Sequence, residues 1–172
     1  MATEKELREK LVKTAESYKG AKEGGDLHRE IIRIFNKVKP DSWAMTMKAP
    51  WCAAFASAMA IEAFGKKKAK KYFPLSANCG TIISKAKRMK IWKEKDSYVP
   101  DPGDWLLYDW DDSGKGNCKG SPDHVGIVVK VTSKQITVIE GNYKDSVKER
   151  KVKVDGRYIR GFVIPDYAKM AK

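Results

Sequence analysis

Residues 50–56 read Pro50-Trp51-Cys52-Ala53-Ala54-Phe55-Ala56, and mostly small or apolar residues follow as far as Gly65. Proline favours the opening of a helix because its missing N–H would have no partner there. Glycine favours the end of a helix because it adopts the left-handed conformation without strain. The stretch therefore predicts an apolar helix over residues 51–64.

Cys52 stands in the predicted first turn of this helix. A thiol at that position lies near unpaired backbone N–H groups and near the positive end of the helix dipole, and both favour the thiolate. The thiolate is the reactive form of cysteine. Free cysteine is also often a small buried core residue, so this segment alone supports both a nucleophile and a packing role.

The rest of the chain divides into a helical part and a strand-rich part. Apolar residues at helical spacing predict further helices over 4–18, 28–38 and 81–89. After Pro100, runs rich in Val and Ile predict strands over 105–108, 124–131, 135–139, 147–154 and 158–164, with a polar loop at 109–122. Helices followed by antiparallel strands indicate one α+β domain over 1–172, mainly helical over 1–100 and mainly β over 101–172, with the helices packed on the sheet.

The composition excludes several classes of protein. The chain has 172 residues, of which 42% are hydrophobic, and that fits one domain with a real core. No run of about 18 apolar residues could span a membrane, and the charged start lacks the apolar core of a signal peptide. The three cysteines, Cys52, Cys79 and Cys118, fit neither a disulfide framework nor a zinc site, because their spacing is irregular and no C-x-x-C pair exists.

The net charge of +13 indicates a surface that attracts polyanions, among them nucleic acid, anionic lipid and anionic cell-wall polymer. The densest basic run is Lys66-Lys67-Lys68-Ala69-Lys70-Lys71, which we interpret as a solvated helix end or loop. No helix-turn-helix, zinc-finger or aromatic RNA-binding signature is present. We therefore expect no nucleic-acid partner.

A nucleophilic cysteine needs a base, and the chain has two histidines. His28 lies in a charged amphipathic segment and is interpreted as a surface or capping residue. His124 opens a predicted strand, which would hold it at the rim of the sheet. Hairpin pairing places His124 opposite residues 140–143, where strand alternation puts Glu140 and Asn142 on one face. Either could accept the imidazole N–H and orient the ring, or both could be ordinary strand-end and turn residues.

Four motifs together resemble the CHAP domain, the cysteine, histidine-dependent amidohydrolases and peptidases within the NlpC/P60 group of papain-like folds. They are Pro50-Trp51-Cys52-Ala53-Ala54-Phe55, Pro102-Gly103-Asp104-Trp105-Leu106, Asp123-His124-Val125-Gly126-Ile127-Val128 and Val138-Ile139-Glu140-Gly141-Asn142. Their order and spacing fit the family over roughly residues 45 to 165. The resemblance implies a papain-like fold and hydrolysis of an amide bond in peptidoglycan. That bond would be the muramoyl–alanine amide or one within the stem peptide or cross-bridge.

The resemblance also implies roles for single residues. Cys52 would be the nucleophile, His124 the base and Glu140 the residue that orients the base, with Asn142 as a fourth member of the site. Cys79 also opens a predicted helix and is a rival nucleophile.

Further side chains near the motifs have two readings. Trp51, Trp110 and Tyr143 could line a groove for substrate, or could pack in the core. Asp104 is interpreted as structural, and Cys118 as an incidental thiol. Some family members bind calcium through an acidic loop before the cysteine, but residues 37–48 contain a single acid here. We therefore expect no metal and no cofactor.

The resemblance predicts a place of action as well. The chain is expected to be made in the cytoplasm without a signal peptide and to act at the bacterial cell wall after release or delivery, as a phage endolysin does. Expected partners are peptidoglycan and, through the positive charge, anionic wall polymer; a monomer is expected. The alternatives are a cysteine peptidase or acyltransferase of another substrate class, and a basic wall-binding module without catalysis.

Overall fold

A computed structural model describes residues 1–111 and 120–172. Its helices are α1 (Glu4–Ser17), α2 (Asp26–Val38), α3 (Cys52–Tyr72), α4 (Cys79–Arg88) and α5 (Tyr167–Met170). Its strands are β1 (Trp92–Lys93), β2 (Trp105–Tyr108), β3 (His124–Val131), β4 (Gln135–Tyr143), β5 (Ser146–Lys153) and β6 (Ile159–Val163). The strands form one antiparallel sheet in the order β1-β6-β2-β3-β4-β5. The α+β arrangement predicted from the sequence is confirmed.

Helix α3 lies at the centre of the core. Every residue from Cys52 to Ile61 is buried, and the helix contacts α1, α2, β3 and β4. A helix that is apolar on all sides has to be covered on all sides, and here helices cover one flank and the sheet covers the other. The start of α3 is therefore fixed relative to the ends of β3 and β4.

Two glycines let backbone and side chains approach closely beside this junction. A Cβ atom at Gly141 would lie 2.4 Å from the Cβ of Phe55, so the absence of a side chain lets β4 lie directly against α3. A Cβ atom at Gly126 would lie 2.6 Å from the Cγ of Glu140. The side chain of Glu140 thus crosses β3 at Gly126, two residues after His124.

The predicted end of the apolar helix at Gly65 is wrong in one respect. Gly65 leaves the helical conformation, with φ 79° and ψ 161°, but a helical segment resumes and runs to Tyr72. The lysine run 66–71 lies in this second segment, so of its two interpretations the solvated helix end is confirmed and the loop is wrong. Gly65 is a kink and not a terminus, because lysine and alanine after it are good helix formers.

Two short elements, strand β1 and helix α5, were not predicted. Strand β1 has two residues and α5 has four, too few for a periodic pattern to show in the sequence. Residues 112–119 of the predicted polar loop, with Cys118, lie outside the described residues. In the part of the chain that the structure describes, no helix is long and apolar enough to cross a membrane.

Asp104 holds the turn before β2, the structural role expected for it. Its side chain is fully buried and accepts hydrogen bonds from Arg8 Nη1 at 2.9 Å, from Tyr98 Oη at 3.0 Å and from the Asp101 N–H at 3.0 Å. Arg8 belongs to α1 and keeps only 13% of its side chain exposed. The ion pair thus fastens the first helix to the sheet.

Arg8→Met is expected to destabilise the protein by about 3 kcal/mol, because it leaves the buried Asp104 carboxylate without its cation. Urea unfolding would measure the loss, with the exposed Lys5→Met on the same helix as the matched control, expected within about 0.5 kcal/mol of wild type. Adding Asp104→Asn to Arg8→Met should recover part of the loss. Equal stability of the two single variants would contradict the assignment.

Candidate active site

Cys52 is the first residue of α3, as the sequence predicts, and its side chain is almost fully buried. The N-cap residue Trp51 provides no side-chain hydrogen bond to the helix start, so the first backbone N–H groups of α3 stay available. The backbone of Ala53 in this first turn is one of the groups that lower the pKa of the Cys52 thiol. The helix start therefore favours a negative charge on this sulfur.

Trp51 does not line a groove, contrary to one reading of the sequence. Its ring is fully buried, its Nε1 donates to Glu23 Oε1 at 2.9 Å, and it packs on the ring of His28 with centroids 4.4 Å apart. Trp51 therefore anchors the start of α3 from the core side.

Of the two roles predicted for His28, surface residue and capping residue, the structure excludes the first and agrees with the second. It is fully buried, and its Nδ1 accepts a hydrogen bond from the N–H of Gly24 at 2.9 Å. Burial lowers the pKa of His28 below its usual value, so the ring is neutral at pH 7 and packs as a flat apolar surface against Trp51.

The structure brings His124 and Glu140 together. His124 is the first residue of β3, and its Nε2 lies 2.9 Å from Oε1 of the fully buried Glu140. Because Nε2 faces the carboxylate, Nδ1 is the ring nitrogen left for Cys52, whose side chain lies close enough to His124 to raise the pKa of the imidazole. Cys52, His124 and Glu140 thus form one connected line across the junction of α3 and the sheet.

Asn142 does not share the face of Glu140, because β4 is irregular at this point. Glu140 pairs with Lys148, but Tyr143 pairs with Ser146, and the register shifts between them. Asn142 itself has a φ of 56°, in the left-handed region that asparagine tolerates. The strict alternation assumed from the sequence therefore fails within two residues of Glu140. In the described part of the chain, the His124 ring forms its carboxylate contact with Glu140, and Asn142 does not take that place.

Arg150 on β5 is a member of the site that the sequence analysis missed. Its Nε donates to both carboxylate oxygens of Glu140, at 2.9 and 3.0 Å. The guanidinium carbon lies 4.1 Å from the ring centroid of Tyr143 and 4.9 Å from that of Trp110. The register explains the contact, since Lys148 is directly opposite Glu140 and Arg150 is its diagonal neighbour. A cation thus holds the orienting carboxylate in place.

Trp110 and Tyr143 lie beside the site, as the sequence suggests. Trp110 is 38% exposed, and its ring stacks on Tyr108 at 4.7 Å and approaches the His124 ring at 6.0 Å. Tyr143 is half-buried under Arg150. Three aromatic residues were predicted as candidates to line a substrate groove, and Trp110 and Tyr143 are the two of them that lie where a substrate could contact them.

Three carboxylates surround the backbone of Trp110. Oxygens of Asp109, Asp111 and Asp123 all lie within 4.8 Å of one another, the one such group with metal-ligand chemistry among the residues described. Asp123 accepts the Trp110 N–H at 2.8 Å, and Asp109 accepts the Asp111 N–H at 3.0 Å. These bonds fix the indole ring against His124.

The electrostatics of the site favour an ion pair. A hydrogen bond from Cys79, together with the nearby His124, lowers the pKa of the Cys52 thiol to about 5 against the opposing effect of burial. Burial lowers the pKa of His124, but Cys52 and Glu140 outweigh it and raise the value to about 9. Between these two values the pair exists as thiolate and imidazolium, the form in which a cysteine nucleophile is most reactive.

The structure does not favour Cys79 as the nucleophile. It is the first residue of α4, it is buried, and Cys52 together with burial raises the pKa of its thiol, so it remains protonated. The Ser57 hydroxyl bonds the backbone of Ser76 in both directions, at 2.9 and 3.0 Å, and Asp41 accepts the Ala77 N–H at 2.8 Å. This network fixes the start of α4 beside α3 and holds the Cys79 S–H as a donor to the Cys52 sulfur.

Cys79→Ala is expected to move the acidic limb of the pH–rate profile upward by about one unit, because the thiolate loses a hydrogen bond. Cys79→Ser should leave the limb near its original position, since a hydroxyl also donates. The measurement is kcat/KM against pH on a soluble peptide substrate. An unmoved limb in Cys79→Ala would mean that Cys79 only fills space.

Comparison with known proteins agrees with the geometry. The family model of the CHAP domain matches residues 44–142, more than half of the chain, and this range contains Cys52, His124 and Glu140. No curated protein and no solved structure matches the chain. A cysteine at a helix start, a histidine at a strand start and an acid on the neighbouring strand, within a match of this extent, show that the chain belongs to the CHAP domain family of cysteine- and histidine-dependent amidohydrolases and peptidases.

Proposed function

We propose that this protein is a peptidoglycan hydrolase that cleaves an amide bond through a covalent thioester on Cys52. The observation that carries the proposal is the line Cys52–His124–Glu140, in which a thiol at a helix N-terminus meets an imidazole held by a buried carboxylate. Family membership supports an amidase or peptidase acting on peptidoglycan. The muramoyl–alanine amide and the bonds of the stem peptide or cross-bridge are the candidate scissile bonds.

In the first half of the reaction the thiolate of Cys52 attacks the amide carbonyl carbon, and a C–S bond forms as the carbonyl electrons move to oxygen. The Cys52 backbone N–H, the first of α3, donates to this oxyanion. The imidazolium of His124 then gives its Nδ1 proton to the amide nitrogen, and the C–N bond breaks. The amine leaves, and the acyl group stays on sulfur as a thioester.

In the second half the neutral His124 takes a proton from water, and the resulting hydroxide attacks the thioester carbon. The C–S bond breaks, the carboxylic acid leaves, and the thiolate and the imidazolium are restored. Glu140 keeps the ring in one orientation throughout and stabilises its cationic form. Arg150 holds Glu140 without touching the reacting atoms.

The place of action follows from the substrate. We propose that the enzyme works at the cell wall after release or delivery, in the manner of a phage endolysin. The half-exposed Trp110 and the neighbouring Tyr143 border the site where a sugar ring or a stem peptide would lie. Aromatic side chains suit both ligands, because they offer a flat apolar face and lose little conformational entropy when binding fixes them in place.

Mass spectrometry of the fragments released from purified walls tests this function. New carboxyl ends on muramic acid together with free alanine amines would identify a muramoyl–alanine amidase, and cut stem peptides or bridges would identify an endopeptidase. Cys52→Ala serves as the control. Release of neither kind of fragment by the wild-type protein, from walls of several chemical types, would overturn the proposal.

A further inference from the structure

The positive charge of this protein is concentrated in one part of the chain. Residues 63–93 contain ten Lys and Arg residues and none of the 22 acids. This segment comprises the end of α3, all of α4 and the connections around them. Elsewhere acids and bases are nearly balanced, so the net charge of +13 is mainly a local property of these two helices.

Five exposed cations of this segment form what we term the basic surface: Lys66, Lys67, Lys70, Lys71 and Arg88. The first four border one shallow depression on the second segment of α3. None of the five forms a salt bridge with an acid in the described ranges 1–111 and 120–172. Like charges three and four residues apart on a helix repel one another, so this arrangement favours binding of an external anion.

A cleft of about 190 Å³ lies at one side of the basic surface. Lys70 and Arg88 line it from the ends of the two helices, above a floor that includes Phe73 and Leu75. Lys85 also lines the cleft, but its ammonium group is engaged by the Leu75 carbonyl at 2.6 Å and by Asp41 at 3.8 Å. Lys70 and Arg88, which form no salt bridge among the described residues, therefore converge from different helices on one concave site.

The basic surface lies apart from the candidate active site formed by Cys52, His124 and Glu140. Helices α3 and α4 both begin at the site, where Cys52 and Cys79 meet, and the cations lie toward their other ends. The ten residues of α4 span about 15 Å. An anionic chain bound on the basic surface would therefore leave the catalytic cysteine free for a neighbouring amide bond of the same material.

We propose that the basic surface docks this enzyme onto a phosphate-bearing anionic polymer attached to the cell wall. The proposal rests on the proposed function, because it takes the wall as the substrate. Repeated negative charges along a chain match cations spread over two helix ends, and docking holds a diffusing enzyme on an insoluble substrate.

The surface lacks the features that other polyanions require. Single-stranded nucleic acid binding adds exposed aromatic rings on which bases stack, and a membrane surface takes exposed large apolar side chains beside the cations. The exposed large apolar residues of the described chain are Met1, Leu27, Trp43, Val99 and Trp110, all outside 63–93. The basic surface therefore offers charge without stacking or insertion.

Binding of the inactive Cys52→Ala protein to purified walls tests the proposal independently of hydrolysis. One variant removes four charges from the basic surface, and a matched control removes four from β3, from β5 and from the turn that joins β3 to β4, so that net charge falls equally. The surface variant carries Lys67→Gln, Lys70→Gln, Lys71→Gln and Arg88→Gln, and the control carries Lys130→Gln, Lys134→Gln, Lys151→Gln and Lys153→Gln.

The surface variant is expected to bind intact walls at least tenfold more weakly than the parent in about 0.1 M salt, with a shallower dependence on salt. The control should stay within about threefold. When acid has removed the phosphodiester polymer from the walls, the parent protein should bind them as weakly as the surface variant binds intact walls. With Cys52 restored, the surface variant should hydrolyse a soluble peptide at the wild-type rate, and its wall lysis should become less sensitive to salt.

Several outcomes would overturn the proposal. Equal weakening in both four-charge variants would show that total charge, and not this surface, drives binding. Undiminished binding to stripped walls would exclude the polymer, and tighter binding to single-stranded nucleic acid or to anionic vesicles would assign the surface to another partner. Failure of the proposed function would appear separately, as an inability of the wild-type protein to release wall fragments despite normal binding.

Discussion

Cys52→Ala is expected to lower the rate of wall hydrolysis by roughly 10⁴-fold or more, because it removes the sulfur that forms the thioester. The fold should remain intact, since alanine is the best helix former and is smaller than cysteine. Turbidity loss of a wall suspension measures lysis, and circular dichroism checks the fold.

The matched control for this loss is Cys79→Ala, which removes a buried thiol of the same size from the first residue of the neighbouring helix. It should retain activity in the neutral range. Lysis by Cys52→Ala within tenfold of wild type would contradict the mechanism and would make Cys79 the nucleophile.

Glu140→Gln is expected to have the second largest effect, a fall in kcat/KM of about 10- to 100-fold at pH 8–9. The carboxylate lies 2.9 Å from His124 Nε2 and helps to raise the pKa of His124 to about 9. Losing its charge lowers that pKa, so the imidazolium is lost at a lower pH. The basic limb of the pH–rate profile should therefore move downward by about one unit or more.

Asn142→Ala and Glu149→Gln are the comparisons for this shift. Asn142 lies in the irregular part of β4, and its removal should lower the rate with little movement of the basic limb. Glu149 is a partly exposed acid on β5 that pairs with Lys19 at 2.8 Å, so its removal should leave the limb in place. A large shift in Asn142→Ala with none in Glu140→Gln would mean that the two roles are reversed.

The parts of this fold that could be predicted from the sequence are those with a strong local signal. The apolar run after Pro50 predicts α3 because few other structures bury so many consecutive small residues, and the Val- and Ile-rich runs on either side of residues 132–134 predict the β3–β4 hairpin. The position of Glu140 near His124 follows from the hairpin register, and the structure has it there.

The parts that could not be predicted depend on contacts distant in sequence or on a single backbone irregularity. The register shift at 141–142 separates Asn142 from Glu140. Gly141-Asn142 is a pair typical of turns, but the pair alone does not specify a register shift within a strand. Trp51 and His28 pack against each other although 23 positions separate them, so the local sequence around either residue does not show that its ring is buried. The bond between Arg150 and Glu140 depends on the pairing of β5 with β4, and the interaction of Cys79 with Cys52 depends on where α4 packs. Neither arrangement can be read from the local sequence.

The rate of thiol alkylation by iodoacetamide, measured against pH with the modified residue identified by peptide mapping, tests the thiolate–imidazolium pair most directly. We expect that Cys52 reacts first, that its rate is half-maximal near pH 5, and that the rate stays level up to about pH 9. Half-maximal alkylation of Cys52 near the usual cysteine pKa of about 8.5, or modification of Cys79 before Cys52, would contradict it.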